Sequence, residues 1–121
     1  MPLTASLNKK IVGILGGGQL ARMLAMKARQ MGLYTIVLSE KISDPAVRVA
    51  NRWIKGNINS AKDIRKVIKL SDVITFESEF ISADLLQKSL KDFPYKKVHP
   101  NIECLGRLQD RLQQVWCYDR I

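Results

Sequence analysis

The chain has 121 residues, of which 46% are hydrophobic, and it carries a formal net charge of +9. This length leaves no room for a second domain, and the chain shows neither an apolar stretch long enough to span a bilayer nor a secretory signal, so we expect a cytosolic protein with no membrane partner. The basic residues occur singly or in pairs without interleaved aromatic residues, which argues against nucleic acid as a partner. The positive charge suits a phosphorylated small molecule equally well.

Short apolar runs alternate with stretches of helical period, which is the pattern of a parallel sheet covered on both faces. After an N-terminal extension over residues 1–9, residues 10–121 are therefore predicted to form an α/β domain with a Rossmann-like, doubly wound parallel sheet of about five strands. The strands are predicted at Lys10–Leu15, Tyr34–Leu38, Arg52–Lys55, Asp72–Phe76 and Lys97–His99.

Three glycines follow the first strand and precede a helical pattern. Gly16, Gly17 and Gly18 permit a tight turn with positive φ, and without a Cβ they can bring bare peptide N–H groups close to an anion. With Ala21 in the third position, the spacing is G-x-G-x-x-A, a partial dinucleotide-binding fingerprint. The alternative is a tight strand-to-helix turn that binds no ligand.

The first helix is predicted to bury a stripe of large apolar side chains and to end at Gly32. We assign this stripe to Leu20, Met23, Leu24, Ala28 and Met31. The methionines at positions 23, 26 and 31 are interpreted as core residues.

Three further helices are predicted from their N-cap residues, Ser60, Ser82 and Asn101. Each N-cap precedes apolar residues at helical spacing, which are Ile64, Val67 and Ile68 for the first, Leu85, Leu86 and Leu90 for the second, and Leu105, Leu108, Leu112 and Val115 for the third.

Polar residues follow the first and fourth strands, which flank the point where the topology of such a sheet reverses. Ligands bind at that point in doubly wound folds. Glu77 and Glu79 follow the fourth strand, and their carboxylates could bind an amine, a ribose hydroxyl or a metal, or could belong to a solvated loop. No nucleophile lies near them in the sequence, so we predict recognition and no catalytic residue.

Metal and disulfide chemistry are not indicated by the cysteine and histidine content. Cys104 and Cys117 form no Cys-x-x-Cys motif, and His99 is the single histidine. We interpret both cysteines as reduced structural residues and His99 as a strand-end residue.

Four ordered segments between about Lys10 and Gln114 are the most specific pattern in the chain: ILGGGQLARML, SDPAVRVANRWIKGNI, DVITFESEFIS and VHPNIECLGRLQDRLQQ. They resemble the N-terminal, pre-ATP-grasp domain of the 5-(carboxyamino)imidazole ribonucleotide synthase family, also called the ATPase subunit of phosphoribosylaminoimidazole carboxylase. The resemblance implies an ATP-grasp ligase of purine biosynthesis that carboxylates 5-aminoimidazole ribonucleotide with bicarbonate, ATP and magnesium.

The same resemblance implies roles for individual residues. Gln19 and Leu20, together with the glycine turn, would bind the aminoimidazole ribonucleotide, and Glu77 would face its amino group. Arg111 would contact ATP, which suits a guanidinium because its fork holds phosphate oxygens bidentately. The alternative for Arg111 is a surface arginine paired with Asp110 or with solvent.

The chain departs from the family pattern in two motifs and at its end. Phe80 stands where the family commonly has asparagine, and Ser39 stands where the second strand usually ends in aspartate, so the exact substrate is open. The sequence ends at Ile121, so we expect the ATP-grasp and C-terminal domains of the family to be absent from this chain. We therefore expect a fragment that retains neither ATP nor magnesium and does not turn over alone.

Two other functions stay open. The glycine spacing and Glu40, which lies 24 residues after Gly16, also fit a free-standing regulator that binds NAD(H). Alternatively, the chain is an interaction module whose apolar face, left uncovered by the missing ATP-grasp domain, drives homodimer formation or binding to a partner.

Overall fold

A computed structural model describes residues 10–76 and 81–98. Five strands alternate with three α-helices and one 3₁₀ helix, in the order β1 (Ile11–Leu15), α1 (Gln19–Gln30), β2 (Tyr34–Ser39), the 3₁₀ helix (Pro45–Arg48), β3 (Arg52–Lys55), α2 (Ala61–Leu70), β4 (Val73–Phe76), α3 (Ala83–Ser89) and β5 (Lys97–Val98).

The predicted strands are confirmed to within a residue or two at their ends. His99, the helix predicted after Asn101 and the N-terminal extension lie outside the described residues, as do Cys104 and Cys117.

The five strands form one sheet in the order β3-β2-β1-β4-β5. All four neighbouring pairs are parallel. The chain runs from β1 outward to β3 in one direction, crosses back through α2, and then continues from β4 to β5 in the other. The topology therefore reverses between β1 and β4, which confirms the predicted α/β doubly wound sheet.

Successive residues of the central strand point to opposite faces of the sheet, and each face is covered by a different part of the chain. Leu15 packs with Leu38 and with Ile64, Val67 and Leu86 of helices α2 and α3. On the other face, a smaller cluster packs against α1 and the 3₁₀ helix. Its buried members are Ile14, Ala21, Ala25, Val37 and Ala46.

Two predicted N-caps are present with the expected hydrogen bonds. The Ser60 hydroxyl accepts a hydrogen bond from the Asp63 N–H at 3.4 Å, and the Ser82 hydroxyl accepts one from the Leu85 N–H at 3.2 Å. Each bond satisfies a backbone donor that has no partner inside its helix. The apolar residues predicted for α2 are fully buried.

The predicted buried face of α1 is wrong in most of its residues. The buried side chains are Ala21, Ala25 and Ala28. Leu20, Met23, Met26 and Met31 are instead 46%, 63%, 38% and 65% exposed. Small side chains let the helix lie close to the sheet beside the glycine turn, so the alanine stripe turns inward and the larger residues remain outside. Of the predicted stripe, Ala28 is buried and Leu24 is partly buried against the core.

Asn51 connects the start of β2 to the segment that precedes β3. Its carboxamide oxygen accepts hydrogen bonds from the Thr35 N–H at 2.9 Å and from the Thr35 hydroxyl at 3.1 Å. The Asn51 N–H donates to the same hydroxyl at 3.0 Å. Thr35 is fully buried, so Asn51 satisfies polar groups that water does not reach.

Candidate functional site

The glycine turn is fixed to its surroundings by hydrogen bonds on both sides. Gly16 has a φ of 122°, which favours glycine, and its N–H donates to the Leu38 carbonyl at 2.9 Å. The Gly17 carbonyl accepts from the Ala46 N–H at 3.0 Å. The Gly16 N–H is therefore already bonded, and this residue shapes the turn for the amides that follow it.

Gly17 is required for a different reason, which is close approach. A Cβ at this position would lie 2.6 Å from the Ser39 Cβ and 2.9 Å from the Asp44 Cβ. Gly18 has a φ of −78°, which any residue adopts. Of the three glycines, the first therefore supplies the positive φ and the second the close packing.

The turn leads directly into α1, whose N-terminus has no side-chain cap and no acidic residue in its first turn. The last turn carries Lys27 and Arg29. The first N–H groups of a helix have no acceptor within the helix, and the helix dipole makes this end positive. Gln19 and Leu20 therefore begin a helix whose amide end suits an anionic group.

This helix end lies at the carboxyl edge of the central strand, beside the topological reversal. Leu15, the last residue of β1, is the register partner of Phe76, the last residue of β4. Glu77 and Glu79 follow Phe76 in the sequence but lie outside the described residues, as does Arg111. The predicted acidic residues thus have no observed position, although the strand that precedes them ends level with the glycine turn.

A cleft of about 310 Å³ lies beside the glycine turn, on the side away from β4, where β2 and β3 end. Besides Gly16, Gly17, Gly56 and Ile58, it is lined by four polar residues, Ser39, Glu40, Lys41 and Asp44. Of these, the sequence pointed to Ser39 as a departure from the family pattern and to Glu40 as an acid that fits an NAD(H)-binding regulator, but not to Lys41 or Asp44. The Ser-Asp-Pro pattern before the 3₁₀ helix is the signal that could have found Asp44.

Hydrogen bonds hold the walls of this cleft. The Glu40 carboxylate accepts from the Asn57 amide at 2.8 Å, and the Asp44 carboxylate accepts from the Lys41 N–H at 3.2 Å. The Ser39 hydroxyl accepts from the Trp53 indole N–H at 3.0 Å. The cleft therefore offers fixed oxygen acceptors and one ammonium, a set that suits sugar hydroxyls better than hydrophobic groups.

Two features are absent from the part of the chain that the structure describes. In residues 10–76 and 81–98, no group of three or more histidine, cysteine, aspartate or glutamate side chains could hold a metal ion. Over the same residues, no helix is long and apolar enough to cross a membrane.

A parallel sheet of order β3-β2-β1-β4-β5, with a glycine turn and a helix that has no side-chain N-cap at its reversal, defines a Rossmann-like α/β domain. Comparison with known families makes the assignment specific. Residues 9–109 match the family described as the ribonucleotide synthetase pre-ATP-grasp domain. The chain belongs to this family.

Individual relatives agree with that assignment. The chain is 39% identical over 103 residues to an N5-carboxyaminoimidazole ribonucleotide synthase of Staphylococcus saprophyticus, covering 85% of this chain and 27% of that protein. It is 33% identical over 110 residues to a phosphoribosylaminoimidazole carboxylase of Candida glabrata, covering 89% and 19% of the two chains. The chain thus spans about a fifth to a quarter of the length of these curated relatives.

A solved structure shows the same fold. The chain is similar to N5-carboxyaminoimidazole synthetase from Staphylococcus aureus complexed with ADP, with a TM-score of 0.76 and 33% identity over 85% of this chain and 27% of that one. The family match supports the predicted pre-ATP-grasp domain, and nothing in it favours the alternative of a free-standing NAD(H)-binding regulator.

Proposed function

We propose that this chain is the substrate-side domain of an ATP-dependent ligase of purine biosynthesis, which carboxylates 5-aminoimidazole ribonucleotide with bicarbonate. The observation that carries the proposal is the uncapped amide end of α1 at the topological reversal. Because the chain belongs to the ribonucleotide synthetase pre-ATP-grasp family, we infer that the ligand at this helix end is a ribonucleotide. A ribonucleotide carries a phosphate, and the positive amide end of a helix is suited to bind one.

The substrate is recognised by both sides of the reversal. Gly16, Gly17 and Gly18 shape the turn, and Gln19 and Leu20 contact the ribonucleotide at the helix start. Glu77 faces its amino group, because a carboxylate accepts the hydrogen bonds that an amine donates. The register that puts Phe76 opposite Leu15 supports this placement.

Most of the ATP site and the whole magnesium site belong to the parts of the ligase beyond this domain. The Staphylococcus aureus relative was crystallised with ADP, which supports the use of a nucleotide by the complete enzyme. Arg111 is the residue of this chain that would contact ATP.

A chimera tests the proposal. This chain would replace the matching region of the Staphylococcus saprophyticus synthase, to which it is 39% identical. The expected result is phosphate release from ATP that requires both bicarbonate and 5-aminoimidazole ribonucleotide. A folded chimera that binds ATP but shows no response to the ribonucleotide would contradict the proposed substrate.

A substitution in the chimera tests the proposed amine contact. Glu77→Gln should raise the KM for the ribonucleotide or lower kcat, since the neutral amide has one acceptor oxygen where the carboxylate has two and is a weaker acceptor. Asp84→Asn is the matched control, because Asp84 lies on the surface of α3 in an exposed ion pair with Lys88. Equal kinetics for both variants would remove Glu77 from the site.

A further inference from the structure

A basic groove lies at the opposite edge of the sheet from β5, between β3 and α2, and the proposed function does not use it. Its volume is about 530 Å³. Four cationic residues line it, Arg52 and Lys55 from the strand and Lys66 and Lys69 from the helix. No acidic residue is among its lining residues.

The four cations have no carboxylate partner in the part of the chain that the structure describes. The ion pairs there are Arg65 with Asp92 at 2.7 Å and Lys88 with Asp84 at 3.2 Å. The positive charges of the basic groove are therefore not neutralised locally. They form part of the net charge of +9 that the whole chain carries. An anionic partner would be attracted to this edge.

The floor of the groove is apolar. Trp53, Ile54 and Leu70 line it together with the cations. The Trp53 indole N–H is donated to the Ser39 hydroxyl and carbonyl, at 3.0 and 3.2 Å. The half-buried indole is thus held against Ser39 on the face of the sheet opposite α2, which makes it a poor platform for stacking a nucleic-acid base in the groove.

β3 is an edge strand, and half of its backbone groups point outward. The Gly56 N–H donates to the Ser39 carbonyl at 3.0 Å, and Ser39 is the register partner of Lys55. Backbone groups alternate in direction along a parallel strand, so those of Trp53 and Lys55 point away from β2. Within the described residues, these two N–H and two C=O groups have no hydrogen-bond partner.

We propose that the basic groove binds an extended acidic segment of a partner protein, which adds a sixth strand beside β3. The free backbone groups of Trp53 and Lys55 would bond to the added strand, as in other cases of strand addition at a sheet edge. Carboxylates on the segment would meet the four cations. A second copy of this chain is a poor occupant, because two chains of net charge +9 repel each other.

The binding of a capped peptide of alternating threonine and glutamate residues tests the proposal. Trp53 fluorescence reports on the groove once Trp116→Phe removes the other tryptophan. Binding is expected in the wild-type background and should weaken by about tenfold or more in the double variant Lys66→Glu, Lys69→Glu. The control Lys27→Glu, Lys91→Glu changes the same charge at exposed positions outside the groove and should change affinity far less.

Two further probes separate strand addition from simple charge attraction. A peptide of the same sequence with N-methylated backbone amides cannot donate to the outward carbonyls, so it should bind about tenfold more weakly or worse. Equal affinity for the methylated peptide would overturn the proposal. The proposal would also be overturned if a single-stranded oligonucleotide bound more tightly than the peptide and lost affinity in the Lys66→Glu, Lys69→Glu variant but not in the control variant.

Discussion

Gly17→Ala is predicted to destabilise the domain through two simultaneous clashes. The new methyl carbon would lie 2.6 Å from the Ser39 Cβ and 2.9 Å from the Asp44 Cβ, whereas carbon atoms in contact are normally about 3.5 to 4.0 Å apart. The turn must therefore move by about 1 Å from both neighbours. Such overpacking costs about 1 to 3 kcal/mol.

The same movement strains the hydrogen bond from the Ala46 N–H to the Gly17 carbonyl, now 3.0 Å long. Losing that bond would add about 1 kcal/mol. We therefore expect the free energy of unfolding to fall by about 2 to 4 kcal/mol in urea titrations. A thermal melt should show a loss of roughly 10 °C, since about 4 °C corresponds to 1 kcal/mol in a domain of this size.

A double-mutant cycle with Ser39→Gly identifies the cause. Removing the Ser39 side chain takes away the Cβ at 2.6 Å and the hydroxyl at 2.9 Å, so it should recover about 1 kcal/mol in the Gly17→Ala background beyond its own effect. Gly32→Ala is the control background, because that site has open space and only a positive φ of 79°. A cost below about 0.5 kcal/mol for Gly17→Ala, or the absence of coupling to Ser39→Gly, would refute the steric argument.

Three other substitutions test separate parts of the fold by urea unfolding. Asn51→Ala should cost about 1 to 3 kcal/mol, because the buried Thr35 N–H and hydroxyl lose their acceptor, and a cost near zero would show that water replaces the carboxamide. Ser60→Ala should cost about 1 kcal/mol through the lost cap on α2, whereas Ser60→Asp should retain most of the stability. Met23→Gln should change the free energy of unfolding by less than about 0.5 kcal/mol, since this side chain is 63% exposed. A large loss of stability would show that Met23 is buried in the core.

Strand positions were predictable because buried parallel strands are continuous apolar runs, such as Tyr34–Leu38. The N-caps at Ser60 and Ser82 were predictable because capping is a local interaction that a short sequence pattern encodes. The buried face of α1 was not. Helical periodicity predicts that large apolar residues such as Met23 and Met31 are buried. The short distance between helix and sheet at the glycine turn instead admits only small side chains, so Ala21, Ala25 and Ala28 are the buried residues.

The candidate site was partly predictable for a similar reason. The turn at Gly16 and its place at the topological reversal follow from local sequence and general fold rules. The separate roles of Gly16 and Gly17 do not, because they depend on Leu38, Ser39 and Asp44, which only the folded chain brings together. The basic groove was likewise hidden, since its cations come from two elements, β3 and α2, that only the folded chain brings side by side.

Hydrogen exchange of the chimera with and without 5-aminoimidazole ribonucleotide tests most directly whether the ligand binds at the start of α1. Ligand binding should slow exchange in the peptide containing Gly17, Gly18, Gln19 and Leu20, because their amides would lie against the ligand. Exchange over β3 should not change. Binding at the start of α1 would be contradicted if saturating ligand slowed exchange in other segments but left exchange at the glycine turn unaltered.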